Sequence, residues 1–555
     1  MPNPTRLSVH ANSDDALLVW ALDPLPDDVV GFKILRKDIK TGTVVTLNNR
    51  IPANQTSGPV SSAGLSAEDS PFRCFRWVDH EVAFHDQVAY SVVPMRAQGQ
   101  GFSAFDGLAS TWSDPVAVTG DAGNGLSAYF NRGLLMSQIG TRLMNGNVTG
   151  AGLAAFKKQL EQAGSPARRY LSGDARHAIL TYLADADGRG SSIKAAIYEI
   201  NDSELVQALA AFGARCEILI GNGGATDDTT VKALQAANCQ IFRRDLSHGT
   251  GSSPSVHNKF VVEVDLYKRP VRALTGSTNW TVTGLCTQLN NVIILDRPAS
   301  AKRFAQQWSL LKDGGDAMTH ALLDANATPF TDETVEVRFA ATTDGSELAA
   351  VVDLVNGASQ GILFEMFQPG ESPILAAILA RVRAADGLYV RGVVSTVVKT
   401  ANGEIQSHQG QVVLSGAADG AFKDEAVIPT GAPASNLPPW EVAEVSRQAF
   451  LAQHLFAIVH SKAIVIDPFS DNCVLITGSH NFSGSASTGN DENLVIVRGN
   501  KRLAQIYAVN MESAHDHFGW RTFLSSGGDP ARLYRPLKAV AADPKTQDTQ
   551  QFWLT

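Results

Sequence analysis

The sequence predicts an α/β protein built from two similar halves, preceded by an all-β, immunoglobulin-like sandwich. Three observations support this fold class: residues 1–120 contain short alternating strands, a strand–helix–strand passage occurs twice, and a short motif pair occurs twice. At about 150 residues per domain, a chain of 555 residues is expected to form three or four units.

Composition indicates a globular chain. Hydrophobic residues make up 44% and charged residues 18%, which is typical of folded domains. The net charge of −9 lowers the expectation of an extended duplex-DNA partner, because such binders are usually basic. The five cysteines are widely spaced and form no C-x-x-C, so we expect neither a disulfide framework nor a metal site.

We expect a cytoplasmic location and no transmembrane segment. The N-terminal residues lack a basic region followed by an apolar stretch, so no signal peptide is predicted. No run of about 18 apolar residues occurs. Export without a cleaved signal stays open.

Residues 1–120 are predicted to form an all-β domain. Short alternating runs, such as those from Leu17 and Val88, are separated by Pro, Gly, Asp and Asn turns. With Trp20 on the second strand and Tyr90 as a corner tyrosine, the pattern resembles a fibronectin type III domain. This resemblance implies a β-sandwich that acts as a spacer or binds a protein or carbohydrate ligand.

After residue 120, the spacing of apolar residues along the chain changes several times. Residues 121–190 show helical apolar spacing with Gly and Asn breaks, which predicts a helical lead-in. Alternating strands and helices then predict a first half at 191–335 and a second half at 336–525. Residues 526–555 are interpreted as a C-terminal tail.

Corresponding apolar strands begin at Ile193 and Ile362. Glu199 and Glu365 occupy matching places near the ends of these strands. A polar residue in an apolar strand often faces a cleft, and a surface or salt-bridged position explains these two equally well.

A pair of short motifs occurs twice in the same order. HNKFVVEVD from His257 precedes GSTNW from Gly276, and HSKAIVID from His460 precedes GSHNF from Gly478. The glycine-started segments align without a gap at an offset of 478 − 276 = 202 residues. A lone His-x-Lys means little, whereas both parts repeated in order indicate a duplicated functional unit.

The paired motifs resemble those of the phospholipase D superfamily over residues 190–520. The resemblance implies two α/β halves related by a pseudo-two-fold axis, each with a mixed sheet between helices. It places one active site at their interface, so a monomer is sufficient for activity. It implies no metal ion and no other cofactor.

The residue types suit an attack on an anionic phosphodiester, which repels nucleophiles. One imidazole attacks phosphorus and forms a phosphohistidine, while the other protonates the leaving oxygen and later activates water or an alcohol. Lysines neutralise the non-bridging oxygens, and asparagine amides donate hydrogen bonds to them. The residues concerned are the catalytic His257 and His460, the oxygen-binding Lys259, Lys462, Asn279 and Asn481, and the assisting Ser277 and Ser479.

An imidazole that becomes charged needs an acceptor on its second nitrogen. Glu492 stands where the family often carries a carboxylate, and the matching residue of the first half is Asn290. Because this support crosses between the halves in related enzymes, the resemblance implies that Glu492 supports His257 and Asn290 faces His460. A carboxylate stabilises imidazolium, so we expect His257 to be the nucleophile and His460 the general acid and base.

The first half departs from the family spacing after its lysine. Asp467 follows Lys462 by 467 − 462 = 5 residues, whereas Asp265 follows Lys259 by 265 − 259 = 6. The extra residue indicates either a β-bulge or a family position held by Val264. This aspartate is mostly structural in the family.

Three functions are compatible with this sequence. Hydrolysis of a phospholipid head-group ester, or head-group exchange, is the leading hypothesis. A nuclease acting on DNA or RNA uses the same chemistry, and the acidic charge weighs against it. The absence of a membrane anchor weighs modestly against the lipase. The third hypothesis is a non-catalytic binding scaffold.

Two features near the motifs have open roles. His480, inside GSHN, either lines the pocket or fills a variable position. Residues 400–439 are rich in Gly, Ala, Ser and Pro, and we interpret them as a loop at the mouth of the site.

Overall fold

A computed structural model describes most of the chain and divides it into two compact units. The described residues are 3–49, 51–53, 64–99, 101–133, 150–249, 254–367, 369, 372–384, 387–395, 406–407, 410–411, 426–427, 458–525 and 528–555. One unit contains residues 1–120, 430–449 and 519–555, and the other contains residues 121–429 and 450–518.

The N-terminal residues form two antiparallel sheets. The strands are β1 (Arg6–Ala11), β2 (Ala16–Ala21), β3 (Val29–Asp38), β4 (Val44–Thr46), β5 (Arg76–Asp79), β6 (Gln87–Gln98), β7 (Gly101–Ala104) and β8 (Val116–Ala117), with a 3₁₀ helix at Asp106–Leu108. One sheet has the order β1-β2-β5 and the other β4-β3-β6-β7, with β8 paired to β6. Trp20 and Tyr90 are fully buried in the core of this unit. The predicted β-sandwich is confirmed, and the closer likeness to fibronectin type III stays a prediction.

The first α/β half contains a seven-stranded mixed sheet. Its strands are β9 (Leu126–Phe130), β10 (Ser192–Ile197), β11 (Cys216–Ile220), β12 (Gln240–Arg243), β13 (Lys259–Val264), β14 (Pro270–Gly276) and β15 (Asn291–Leu295). Its helices are α1 (Gly150–Glu161), α2 (Pro166–Gly188), α3 (Ser203–Ala210), α4 (Asp228–Ala236), α5 (Val282–Cys286), α6 (Pro298–Gly314) and α7 (His320–Ala327), with a 3₁₀ helix at Gly213–Arg215. The strand order is β12-β11-β10-β13-β14-β15-β9.

Both faces of this sheet are covered because its central strands are apolar on both sides. Val261 of β13 lies in a core shared with α1, α2 and α3. The adjacent Phe260 points to the other face and packs against Phe304 of α6, with ring centroids 5.1 Å apart. Asp202 caps α3 by accepting a hydrogen bond from the Leu205 N–H at 3.2 Å.

The second half repeats this arrangement. Its strands are β16 (Phe330–Asp332), β17 (Val335–Ala340), β18 (Gly361–Met366), β19 (Tyr389–Val394), β20 (Gln406–Ser407), β21 (Gly410–Gln411), β22 (Ala426–Val427), β23 (Ala463–Ile466), β24 (Val474–Gly478) and β25 (Glu492–Arg498). Its helices are α8 (Ser346–Asn356), α9 (Pro373–Ala384), α10 (Gly484–Thr488) and α11 (Lys501–Ser525). The main sheet has the order β16-β17-β25-β24-β23-β18-β19-β22, and β20 pairs with β21. From β22 to β17 this order matches that of the first half, so the two predicted α/β halves are present.

The first half begins earlier than predicted. Residues 121–190 contain helices α1 and α2, but they also contain β9, which pairs antiparallel with β15. This pairing corresponds to that of β17 with β25. The helical lead-in predicted for residues 121–190 thus contains α1 and α2 but also a strand, which was missed because a five-residue strand stabilised by a distant partner leaves little local signal.

The C-terminal residues belong to the same unit as the sandwich. They form a 3₁₀ helix at Pro530–Tyr534 and helices α12 (Leu537–Ala541) and α13 (Pro544–Trp553). Leu537 is buried in the sandwich core, and the Gln550 side chain donates to the Trp20 carbonyl oxygen at 2.8 Å. The segment predicted as a tail is thus packed. Across the described residues, none of the helices combines the length and the apolar character needed to cross a membrane.

Candidate active site

The motif residues lie at one end of the two central sheets. Lys259 begins β13 and Lys462 directly precedes β23, while Gly276 and Gly478 end β14 and β24. These glycines have φ angles of 141° and 146°. A Cβ on them would lie 2.4 and 2.3 Å from a carbonyl oxygen of the adjacent strand. Only glycine accommodates both the angle and the close approach.

Each catalytic-motif histidine is anchored on the opposite half. The His257 N–H donates to the Asp491 carbonyl oxygen at 2.9 Å, and the His460 N–H donates to the Leu289 carbonyl oxygen at 2.9 Å. The two backbone contacts are related by the pseudo-two-fold symmetry. They bring both motifs of one chain into a single site.

The two imidazoles face each other in a nearly closed space. Their ring centroids are 6.5 Å apart, with an interplanar angle of 67°. His257 is 6% exposed and His460 is 4% exposed. The distance leaves room for one small tetrahedral group between the rings.

Each imidazole has an acceptor on Nδ1, supplied by the other half. Nδ1 of His257 lies 2.8 Å from Glu492 Oε2, and Nδ1 of His460 lies 2.9 Å from Asn290 Oδ1. The Asn290 amide is oriented because its Nδ2 donates to the Gly284 carbonyl oxygen at 2.8 Å. Both Nδ1 atoms therefore carry the proton, and both Nε2 atoms are available for chemistry. The structure has the crossed arrangement that the resemblance implies.

Ser277 and Ser479 form hydrogen bonds to the residues that support the two imidazoles. The Ser277 hydroxyl donates to Asn290 Oδ1 at 2.8 Å, and the Ser479 hydroxyl donates to Glu492 Oε2 at 2.9 Å. Both serines are fully buried. The expectation that they assist at the phosphodiester oxygens stays a prediction.

The lysines and asparagines surround the two rings. Lys259 Nζ donates to the His257 carbonyl oxygen at 2.8 Å, and Lys462 Nζ donates to the His460 carbonyl oxygen at 2.6 Å. An ammonium group has three donors, so each lysine retains hydrogens for a ligand. Buried Oδ1 atoms without a partner occur on Asn279 and Asn481.

Burial disfavours positive charge throughout this site. It lowers the pKa of His257 to about 4 although Glu492 opposes the shift, and it lowers the pKa of Lys259 to about 7. Burial and the nearby lysines hold the pKa values of His460 and Lys462 well below their usual ranges. An anion between these groups would restore their positive charge.

Two aromatic residues that the sequence analysis missed flank the imidazoles symmetrically. The Tyr198 ring lies 4.9 Å from that of His257 and 5.0 Å from Lys259 Nζ. The Phe367 ring lies 4.7 Å from that of His460 and 4.9 Å from Lys462 Nζ, measured between centroids for the rings. An aromatic residue directly after each repeated strand was the available signal.

Asp467 has a structural role that Asp265 does not share. Asp467 accepts hydrogen bonds from the N–H groups of Gln360 and Gly361, at 2.6 and 2.9 Å, at the start of β18. Asp265 instead accepts from Arg269 within the β13–β14 turn. Asp265 is therefore not equivalent to Asp467. Strand register places Val264 at the position of Asp467, because Val264 pairs with Ser192 of β10 as Asp467 pairs with Gly361 of β18.

Glu263 forms a hydrogen bond at the start of β10, as Asp467 does at the start of β18. Its carboxylate accepts from the Ser191 hydroxyl at 2.8 Å, next to the first residue of β10. The β13–β14 register shifts between Glu263 and Val264. The residue left without a partner is Val271 of β14, whereas β13 pairs with β10 without a shift from Lys259 to Val264. The bulge expected in β13 is therefore not present.

The expected correspondence of Glu199 with Glu365 is wrong. Strand register pairs Glu365 with Ala463, and the same position of the first half pairs Ala196 with Phe260. Glu365 is 1% exposed, and burial raises its pKa to about 7. Glu199 lies three residues after Ala196, beyond the end of β10, so the two glutamates occupy different positions in their halves.

His480 faces the interior of the second half. Its Nδ1 accepts from the Phe482 N–H at 2.9 Å, and its Nε2 lies 3.6 Å from Glu347 Oε1. It is 1% exposed. The His480 ring therefore stabilises the GSHN turn from the interior of the second half. The loop predicted at 400–439 lies almost entirely outside the described residues.

A known family model matches part of the second half. Residues 351–514 match the family model described as "Cardiolipin synthase, PLD-like domain". The chain therefore carries a phospholipase D-like domain, and the resemblance predicted from its motifs is confirmed. The comparison with curated proteins found no match.

Solved structures show distant likenesses. Phosphatidylserine synthase of Haemophilus influenzae has 13% identity and a TM-score of 0.41, covering 69% of this chain and 94% of that one. Polyphosphate kinase of Porphyromonas gingivalis has 13% identity and a TM-score of 0.38, and the match spans 61% of this chain and 47% of that one. Nuc of Salmonella typhimurium has 19% identity and a TM-score of 0.21, covering 34% of this chain and 96% of that one.

Proposed function

We propose that the chain is a metal-independent phosphodiesterase that acts through a phosphohistidine. The observation that carries this proposal is the pair of facing imidazoles, 6.5 Å apart between centroids, with Nδ1 of each held by the other half. A phosphorus atom between the rings would be within reach of Nε2 on one side, at an attack distance of about 3–3.5 Å. The other Nε2 would lie on the leaving-group side.

In the first step, Nε2 of His257 attacks phosphorus and the bond from phosphorus to the leaving oxygen breaks. His460, protonated on both nitrogens when the anionic substrate binds, transfers its Nε2 proton to that oxygen. Lys259, Lys462 and the amides of Asn279 and Asn481 stabilise the charge on the non-bridging oxygens. Glu492 stabilises the positive ring of the phosphohistidine.

In the second step, neutral His460 removes a proton from the incoming oxygen nucleophile. That oxygen attacks phosphorus, the N–P bond breaks, and His257 returns to its neutral form. Water gives hydrolysis, and an alcohol gives head-group exchange. The same site therefore supports both reactions, and their ratio depends on which nucleophile occupies it.

A phospholipid is the proposed substrate. The matching family model is named for cardiolipin synthase, a lipid enzyme. The net charge of −9 is unfavourable for binding a polyanionic duplex. Two buried lysines suit the charge of one phosphodiester group better than that of a run of phosphates.

The test is head-group release from phosphatidylcholine vesicles in EDTA, with and without ethanol. We expect release by wild type and at least about 10³-fold less by His460→Ala. Ethanol should divert part of the product to phosphatidylethanol. Cleavage of single-stranded DNA without choline release would instead assign a nuclease, and wild-type activity that requires a divalent metal would contradict the mechanism.

A further inference from the structure

Glu199 lies beside the phosphodiester site and contacts one of its residues. It follows the end of β10, and its Oε2 accepts a hydrogen bond from Asn279 Nδ2 at 3.2 Å. Its other oxygen, Oε1, accepts from the Ala225 N–H at 3.2 Å. The carboxylate therefore joins the loop after β11 to the Gly-Ser-x-Asn turn.

The loop after β11 is shaped to hold this carboxylate. A Cβ on Gly223 would lie 2.1 Å from Cγ of Glu199, whereas a Cβ on Gly224 would meet nothing within 4 Å. Gly223 thus permits the close approach of the loop to the Glu199 side chain. The backbone of Trp280 adds a third contact, because its N–H donates to the Glu199 carbonyl oxygen at 3.2 Å.

An asparagine amide has a donor end and an acceptor end, and only the donor end binds a phosphoryl oxygen. A carboxylate only accepts, so it selects the Asn279 orientation in which Nδ2 points toward Glu199. One Nδ2 hydrogen is used in this contact, and the second is available for the substrate. Oδ1 of Asn279 is buried without a partner, so the Glu199 contact is what distinguishes the two amide orientations.

We propose that Glu199 is a positioning residue that fixes the amide of Asn279 with its NH₂ group available to the phosphodiester. The inference rests on the proposed function and deepens it at the same site. Glu199 itself takes no part in bond making or breaking. Its effect on turnover passes through Asn279.

A double-mutant cycle tests this coupling, with bis(4-nitrophenyl) phosphate as the substrate. Asn279→Ala is expected to lower kcat by about 10²–10³-fold, and Glu199→Ala by about 10–100-fold. Glu199→Ala should have no further effect once Asn279 is alanine, because no amide remains to orient. Glu199→Gln retains an acceptor oxygen and should restore part of kcat. Additive losses would overturn the inference while leaving the proposed function intact.

Gly223→Ala provides a second test that leaves both polar side chains in place. It should displace Glu199 and lower kcat, whereas the matched control Gly224→Ala should behave as wild type. Equal behaviour of these two variants would overturn the inference.

Binding of inorganic phosphate, measured by calorimetry, separates the two proposals. If the wild type hydrolyses no diester, the proposed function fails. The double-mutant cycle of Glu199 and Asn279 is then evaluated from the affinities of the variants for inorganic phosphate. Non-additive losses of affinity would then still support the positioning role, and additive losses or no binding would overturn it.

Discussion

Glu492 and Asn290 make the two sides of the active site chemically different. Glu492 offers a buried carboxylate to His257, and Asn290 offers a neutral amide oxygen to His460. Burial raises the pKa of Glu492, but the neighbouring His257 holds it below its usual value. A negative acceptor stabilises a positive ring, so the side with Glu492 favours the covalent intermediate.

This asymmetry predicts unequal effects of removing the two supports. Glu492→Gln should lower kcat on bis(4-nitrophenyl) phosphate by about 10³–10⁴-fold, as loss of the carboxylate does in other histidine-based sites. Asn290→Ala should lower it by only about 10–100-fold. Steady-state kinetics measure both, and a larger loss for Asn290→Ala would reverse the assigned roles of the histidines.

The depressed pKa of Lys259 predicts proton uptake on ligand binding. Its pKa is about 7 in the empty site, so at pH 8 the amine is mostly neutral before binding. A bound anion raises this pKa, so binding at pH 8 draws a proton from solution and anion affinity falls as pH rises above 7. Calorimetry of dimethyl phosphate binding in two buffers of different ionisation enthalpy measures the uptake.

The control for this experiment is a lysine outside the site. Lys501→Met removes an amine that pairs with Asp471 at the surface, and uptake should stay as in wild type. Lys259→Met should reduce it. Proton release by wild type would show that the site is already positively charged when empty.

Among the strands, the acidic residue after each motif lysine fixes the neighbouring strand rather than the substrate. Asp467 accepts a hydrogen bond at the start of β18, and Glu263 accepts one at the start of β10. Asp467 also has a φ of 50°, a conformation that asparagine and aspartate tolerate better than most residues. Both contacts lie at the end of the sheet away from the histidines.

Asp467→Asn is therefore expected to destabilise the fold and leave the chemistry intact. It removes the charge and converts one acceptor into a donor facing buried N–H groups, which should cost about 1–3 kcal/mol. Asp265→Asn is the matched control and should leave the unfolding midpoint unchanged. Chemical denaturation measures both variants, and equal shifts would restore the equivalence of the two aspartates.

Across the whole α/β unit, a buried ion pair joins the two halves beside His257. Arg244 Nε donates to Asp491 Oδ2 at 2.6 Å, and Arg244 also donates to the Ala317 carbonyl oxygen at 3.1 Å. The Asp491 carbonyl oxygen in turn accepts from His257. The stability of the unit and the position of the His257 ring are therefore linked.

Arg244→Ala should lower both stability and activity. An unpaired buried Asp491 carboxylate costs about 3–5 kcal/mol, and the altered backbone should displace His257. The control Arg269→Ala removes a pair with Asp265 in an exposed turn and should change neither property measurably. Full activity of a folded Arg244→Ala protein would show that the halves are aligned by other contacts.

The sequence predicted most about the residues that would take part in the same reaction. The two motif copies predicted two paired histidines, and the resemblance to the phospholipase D superfamily implied the crossed support by Glu492 and Asn290. It could not predict that Ser277 and Ser479 turn toward those supports, since position in a motif does not determine side-chain direction.

Contacts between distant segments account for the other differences. The pairing of β9 with β15 and the contact between Glu199 and Asn279 join residues far apart in the chain. Strand register places Val264 at the position of Asp467, so motif spacing does not reveal that Glu263 makes the contact at the start of β10. Local pattern carries none of this information.

Trapping the covalent intermediate is the most direct test of the mechanism. Bis(4-nitrophenyl) phosphate has a leaving group that needs no protonation, so His460→Ala should still form the intermediate but hydrolyse it slowly. Mass spectrometry after an alkaline quench should find the nitrophenyl-phosphoryl group on His257 in this variant, and no adduct in His257→Ala. An adduct on His460, or wild-type turnover without any covalent intermediate, would contradict the assignment.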